Sequence, residues 1–255
     1  ATSAGETRPS LVWLRRLLYG RCAAVHTVSH SLRDYYAARG FPADKLIAIP
    51  NGVDTARFAP GDRAAARRRI GLPETGVVAG MIGSLQRRKR HREVIEAFSR
   101  AAARQPDARL VIVGTRGPEA ENIRAQIAAS PAASRIHLYD FQDDPRPYYQ
   151  AMDLLLVASE NEGLSNAALE AMACGVPVLA GAACGNAEII IPEQDGFLGA
   201  LHRVEDIAAR LAELLAQPRR LSAAGAAALE KVAARHRLAD MAEGYARLYR
   251  RLAGE

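Results

Sequence analysis

The stretch Leu154-Leu155-Leu156-Val157-Ala158-Ser159-Glu160-Asn161-Glu162-Gly163-Leu164-Ser165-Asn166-Ala167-Ala168-Leu169-Glu170-Ala171-Met172-Ala173-Cys174-Gly175-Val176-Pro177-Val178 changes character three times. Four aliphatic residues read as a strand buried on both faces, and a polar loop carrying one glycine follows. The run from Ala167 to Ala173 reads as a helix, which Gly175 and Pro177 stop before a second aliphatic run begins. Strand, loop, helix, strand is the repeating unit of a parallel sheet covered by helices, and the same alternation continues on either side. The fold class is α/β. Strands are predicted at 24–28, 46–49, 77–82, 110–113 and 136–138, besides 154–157 and 178–180. Ser29 to Ser31 opens one helix that Gly40 and Pro42 close, and Asp62 caps another that ends before Gly71. Apolar spacing predicts helices over 91–104 and 119–129, and after Phe197 only helices, over 204–216, 221–235 and 238–252.

With 255 residues, 49% hydrophobic and 24% charged, the chain can build a packed core. Its longest uncharged run, between Glu170 and Glu188, is broken by Gly175, Pro177, Gly181 and Gly185, which argues against a membrane span there. The first ten residues lack the basic start and apolar middle of a secretory leader, so a cytoplasmic location is expected. Cys22, Cys174 and Cys184 suit neither a metal site nor a disulfide framework, and they are read as reduced core thiols. The net charge is +6, and among 34 cationic side chains only Lys45, Lys89 and Lys231 are lysines. Such a surface favours an anionic partner. With only 5% aromatic residues and none for base stacking near the basic cluster, nucleic acid is not that partner.

The segment Ile47-Ala48-Ile49-Pro50-Asn51-Gly52-Val53-Asp54 runs from a strand into a strong turn signal and reads as a crossing between two lobes. What precedes it is one helix, one strand and another helix, too little apolar area for an independent domain.

In an open parallel sheet, ligands bind beyond the carboxyl ends of the strands. Two of the loops there carry chemistry. The loop after 77–82 is Gly83-Ser84-Leu85-Gln86-Arg87-Arg88-Lys89-Arg90-His91, in which a glycine, a helix start and Lys89 together suit a phosphate. A solvated basic helix start fits the same residues. In the loop after 154–157, Gly163 to Asn166 can turn main-chain N–H groups toward a diphosphate. Glu162 and Glu170, eight positions apart, would repel phosphates, so they suit sugar or ribose hydroxyls. Plain decoration of a helix start remains the alternative.

The block from Glu162-Gly163-Leu164 through Glu170-Ala171-Met172-Ala173-Cys174-Gly175-Val176-Pro177-Val178 resembles the signature of family 4 glycosyltransferases, retaining enzymes of the two-lobed GT-B fold. Val28-Ser29, Ile49 to Asp54, Lys89, Val111 to Gly114, Ala151-Met152-Asp153, Glu188-Ile189-Ile190 and Asp195-Gly196 agree with it in order. The resemblance implies a Rossmann-like donor lobe over 76–235 with helices on both faces, preceded by a remnant of the amino-terminal acceptor lobe at 1–45 and a linker with the first helix at 46–75. A carboxyl-terminal helix at 236–255 would return toward the first lobe. It also implies that Glu162 contacts the donor sugar and Glu170 the ribose. Gly163, Leu164, Ser165 and Asn166 would hold the diphosphate by their amides, and Lys89 would stabilise the leaving phosphate. With Lys89 and Glu162 as the catalytic pair, Gly83, Ser84 and Arg88 would complete the donor site, and Phe141 with its neighbours Tyr139, Asp140 and Gln142 would border the base. No metal and no cofactor are implied; a nucleotide-diphosphate sugar is the substrate and a saccharide or lipid-linked molecule the acceptor.

Two features depart from the family. Ser84 stands where many members carry an arginine, so Arg87 or Arg88 substitutes for it or fewer charges hold the diphosphate. The chain also starts near the end of the acceptor lobe, which implies a truncated form with low activity of its own. Residues 11–20, with Trp13, Leu14, Leu17 and Leu18 beside Arg15, Arg16 and Arg21, fit a core-facing helix or one lying on the inner membrane surface. A non-catalytic GT-B-like binding or assembly module and a sugar-nucleotide epimerase of the same architecture are the rival functions.

Overall fold

A computed structural model describes residues 9–114, 117–160, 162–182 and 185–255. The chain opens with α1 (Pro9–Arg21), β1 (Val25–Thr27), α2 (His30–Ala37) and β2 (Leu46–Ala48). The strands β1 and β2 pair in parallel, Val25 opposite Leu46, as a sheet of their own. Next come α3 (Arg63–Arg69), β3 (Val78–Ile82), α4 (His91–Ala101), β4 (Arg109–Val113), α5 (Ala120–Ala128), β5 (Ile136–Tyr139), α6 (Arg146–Ala151) and β6 (Leu154–Val157). They are followed by α7 (Asn166–Ala173), β7 (Val178–Gly181), α8 (Asn186–Ile189), β8 (Phe197–Gly199), α9 (Val204–Leu215), α10 (Pro218–Arg235) and α11 (Leu238–Ala253).

Six strands form one wholly parallel sheet in the order β5-β4-β3-β6-β7-β8. Alternate residues feed two cores, as the pleat of a strand requires. Ala79, Met81, Leu110, Ile112, Leu154, Leu156 and Leu179 pack with residues of α4, α5 and α9 on one face. Val78, Val111, Val113, Leu155, Val157 and Ala180 pack with residues of α6, α7 and α10 on the other. Both faces are covered, so the central strands read as unbroken aliphatic runs.

Local chemistry sets the helix starts. Ser29 Oγ accepts from Leu32 N at α2, Asp62 from Ala65 N at α3, and Ser165 Oγ from Ala168 N at α7. A buried ion cluster fixes α3 to the sheet. Asp153 Oδ1 accepts from Arg63, and its Oδ2 from Arg67 at 2.6 Å and from Val78 N at 2.7 Å. Arg67 is buried and also donates to the carbonyls of Glu74, Gly76 and Ala151.

Several expectations are corrected. The chain after Phe197 is not wholly helical, because Phe197–Gly199 is a strand; its three residues are too few to show a period. The helix expected over 91–104 is α4 followed by a 3-10 turn at Ala102–Arg104, and α10 begins at Pro218 rather than 221, with proline in its first turn. The short helices α6 and α8 escape periodicity altogether. Cys22 is not a core thiol; it lies exposed at the end of α1, where its Sγ donates to Leu18 O. Cys174 is buried, and that burial, reinforced by the charge of Glu170, pushes its thiol up to about 12. Cys184 lies outside the described residues. The α1 helix does not turn its apolar stripe inward either: Trp13, Leu14, Leu17 and Leu18 are exposed, while Tyr19 packs on Tyr36 and Phe41.

The crossing at 50–54 pairs with the chain returning from α10: Val53 N donates to His236 O at 2.8 Å and Leu238 N to Val53 O at 2.9 Å. From there α11 reaches the small sheet, where the Tyr245 ring lies 4.9 Å from that of His26. Among the described residues no helix is long and apolar enough to cross a membrane.

Candidate functional site

The strands β3 and β6 are neighbours, yet the chain leaves their carboxyl ends in opposite directions, toward β4 and toward β7. The loops part there, and a crevice opens at this switch point. After β3 the backbone turns at Gly83, φ 152°. The loop after β4 meets it at Gly114, φ 124°, where any Cβ would strike the Gly83 carbonyl, so glycine is required for the close approach. A 3-10 turn at Arg87–Lys89 then carries Lys89 to the crevice.

Lys89 Nζ lies 2.7 Å from Glu162 Oε2, and both side chains are less than one-fifth exposed. Arg88 Nη1 is 3.9 Å from the same oxygen, while its Nε donates to Gln86 Oε1. Arg88 therefore leans on the pair without closing on it. The loop after β6 continues through Gly163 to Asn166 into α7. Among the described residues, the main-chain N–H groups of Gly163, Leu164, Ser165 and Asn166 find no acceptor; the Ser165 hydroxyl serves Ala168 N instead. Four donors without an acceptor among the described residues, a helix start and a lysine together suit an anion. Gly185 supports this loop from below, since a Cβ there would collide with the Gly163 carbonyl.

One turn into α7, Glu170 is half-buried and its Oε2 accepts from Tyr149 OH at 2.7 Å. Burial raises its pKa, against the opposing effects of the Tyr149 hydrogen bond and the positive charge of Arg57. Tyr149 is itself buried, which with the Glu170 charge keeps its phenol protonated well above the ordinary range. One carboxylate oxygen is thus committed to the protein, and Glu170 also lines a cavity of about 410 Å³ with Gly83, Ser84, Gly114, Phe141 and Gln142. Phe141 is half exposed at its mouth. Lys89, Gly83 and Ser165 line the adjoining crevice, so the cavity and the anion site share Gly83.

The residues expected from sequence therefore fall into two adjoining groups: Gly83, Ser84, Phe141 and Glu170 at the cavity, and Lys89, Arg88, Glu162 and Gly163 to Asn166 at the crevice. The Asn166 side chain turns elsewhere, its Oδ1 accepting from Asn51 Nδ2 at 2.8 Å. Gln142, expected beside the base, lines the cavity, whereas nothing in the sequence marks Tyr149, Gly114 or Asn51 as site residues. Tyr149 sits in a short aromatic run that reads as core, and the signal that could have found it is a phenol needing a buried partner. Among the described residues no cluster of three or more His, Cys, Asp or Glu side chains could hold a metal ion.

Behind Lys89, His91 is buried, and burial first, with the Lys89 charge second, pushes its imidazole pKa down to about 4. The folded chain therefore refuses a proton that the unfolded chain takes up below about 6.5. The stability held by the neutral ring is complete above that value and is lost as pH falls toward 4. Unfolding free energy is expected to drop by about 2 kcal/mol between about pH 7 and pH 5, and less in His91→Gln, by urea titration at each pH.

Comparison with known proteins identifies the family and the fold. The profile of the family described as glycosyl transferases group 1 matches residues 62–231, and that of glycosyltransferase family 4 matches residues 3–57. The D-inositol 3-phosphate glycosyltransferase of Kribbella flavida is 35% identical over 212 residues, 79% of this chain and 49% of that protein. The chain spans about half the length of the curated relatives it matches. The structure of Anabaena HepE in complex with UDP-glucose superposes with a TM-score of 0.87 at 20% identity, covering 97% of this chain and 69% of HepE. The C-terminal domain of a group 1 glycosyl transferase from Francisella tularensis is 26% identical with a TM-score of 0.66, and 73% of this chain covers all of that domain. The chain belongs to the family 4 glycosyltransferases, and its six-stranded sheet with the helices on both faces is the C-terminal lobe of their GT-B fold.

Proposed function

We propose that this lobe binds a nucleotide-diphosphate sugar and that the whole protein transfers the sugar, with retained anomeric configuration, to a hydroxyl of its acceptor. The observation that carries the reading is the run of four main-chain N–H groups that find no acceptor among the described residues, beside Lys89. The diphosphate would lie across these groups. The nucleoside would fill the cavity bordered by Phe141, whose volume suits a small ligand, with Glu170 accepting from ribose hydroxyls. Glu162 would accept from a sugar hydroxyl. Lys89 has three N–H donors and a carboxylate accepts several bonds, so their pairing leaves both with capacity for substrate. In the transfer the bond from the anomeric carbon to the diphosphate oxygen breaks and the acceptor oxygen bonds on the same face, its proton passing to the leaving phosphate. Lys89 and the start of α7 stabilise the charge that develops, without a metal. That HepE is described with UDP-glucose supports a donor of this class. The name of the Kribbella relative makes D-inositol 3-phosphate the first acceptor to assay with the whole protein.

Thermal denaturation tests the binding step. At about a hundred times Kd, a nucleotide diphosphate or its sugar is expected to add about 2.7 kcal/mol, raising Tm by roughly 5–10 °C. No shift with UDP, GDP, ADP or CDP at about 5 mM would contradict the reading. A module that has lost transferase activity would bind donor yet, as the whole protein, make no product.

A further inference from the structure

Arg90 follows Lys89 with φ 59° and ψ 34°, in the left-handed region, a conformation that among the described non-glycine residues only Glu193 shares. Two local features there are unfavourable. An L-residue with a long side chain is strained in that region, and the Arg90 Nε is buried without a hydrogen-bond partner. Arg90 stands at the N-cap of α4 yet supplies no side-chain cap, so the helix gains nothing from it that glycine would not give. Strain that a protein retains points to what it holds in place.

What Arg90 holds is the loop after β6. Its Nη2 lies 3.1 Å from Glu160 Oε1, its Nη1 donates to His202 O at 2.8 Å, and its side chain is mostly buried. One residue pair along, Glu160 N donates to Arg88 O at 3.0 Å. The turn after β3 therefore grips the loop after β6 at Glu160 by main chain and side chain together, two positions before Glu162. The Lys89 to Glu162 pair lies just beyond the grip. Released at Glu160, the segment leading to Glu162 would keep its strand anchor at Val157, its helix anchor at Ser165 and the bond from Gly185 N to Glu162 O at 3.4 Å, but lose the grip on the turn that carries Lys89.

We infer that Arg90 is a positioning residue for the donor sugar, tethering Glu160 so that the Glu162 carboxylate is presented beside Lys89. This rests on the donor reading above, and the experiment separates the two. Amide hydrogen exchange at Glu160, measured without ligand, is expected to quicken about tenfold in Arg90→Gly and in Glu160→Gln, with Arg90→Lys in between, because lysine can reach Glu160 but cannot form both bonds. The Tm of Arg90→Gly should stay within about 2 °C of wild type, since relief of the backbone strain offsets the lost contacts. By calorimetry the variants should lose about tenfold in affinity for a nucleotide-diphosphate sugar but less than about threefold for the bare nucleotide diphosphate, with partial recovery in Arg90→Lys. A merely structural arginine would lower Tm and weaken both ligands alike. Unchanged exchange at Glu160 in both Arg90→Gly and Glu160→Gln would overturn the tether whatever the binding shows. Faster exchange in a chain whose wild type binds no nucleotide would support the tether and overturn the donor reading instead.

Discussion

Lys89→Ala in the whole protein is expected to lower kcat/KM for sugar transfer by about 10²–10³-fold, the loss typical of removing one group that stabilises developing charge. It should also destabilise the lobe by about 1–2 kcal/mol, because Glu162, mostly buried, is left with only the distant Arg88 guanidinium. The two effects have different remedies, which makes the prediction selective. Adding Glu162→Gln to Lys89→Ala removes the unpaired charge, so stability should largely return. Transfer should not return, because both groups that would face substrate are then gone. A double-mutant cycle read by urea denaturation and by initial rates checks this. If Lys89 served only as partner to Glu162, Lys89→Ala would cost no further activity in the Glu162→Gln background.

The second large effect is structural. Asp153→Ala should cost about 3–5 kcal/mol, because it strands Arg67 in the core and removes the acceptor of Val78 N at the head of β3. Burial already lowers the pKa of Arg67, with Asp153 opposing that shift. A Tm about 10 °C lower is expected. Replacing Arg67 and Asp153 together by leucine and methionine should recover part of the loss, since neither charge then remains without a partner. A loss below about 1 kcal/mol for Asp153→Ala would show that water replaces the carboxylate.

These two predictions draw on residues of very different legibility. Glu162, Gly163 and Glu170 stand out because the loop follows a strand end and opens a helix, where spacing alone leaves helix-start decoration open and the family resemblance supplies the proposed roles. The central strands are readable because burial on both faces leaves aliphatic runs such as Leu154–Val157. By contrast β8 and α8 have only three and four residues, too short for any period to emerge. The sequence leaves α1 open between a core-facing helix and one lying on a membrane surface, because amphipathic spacing fixes that a helix has an apolar side but not what that side meets. Tyr149 and Arg90 were invisible as site residues since their roles exist only through partners 21 and 70 positions away. A hydrogen bond between distant elements leaves no spacing in the chain.

The measurement that tests the central claim most directly is a crystal structure of the chain soaked with a nucleotide-diphosphate sugar. The predicted result is diphosphate density on the N–H groups of Gly163 to Asn166 within hydrogen-bond reach of Lys89, with the nucleoside between Phe141 and Glu170. Density for the diphosphate on any other part of the lobe, with the start of α7 untouched, would contradict it.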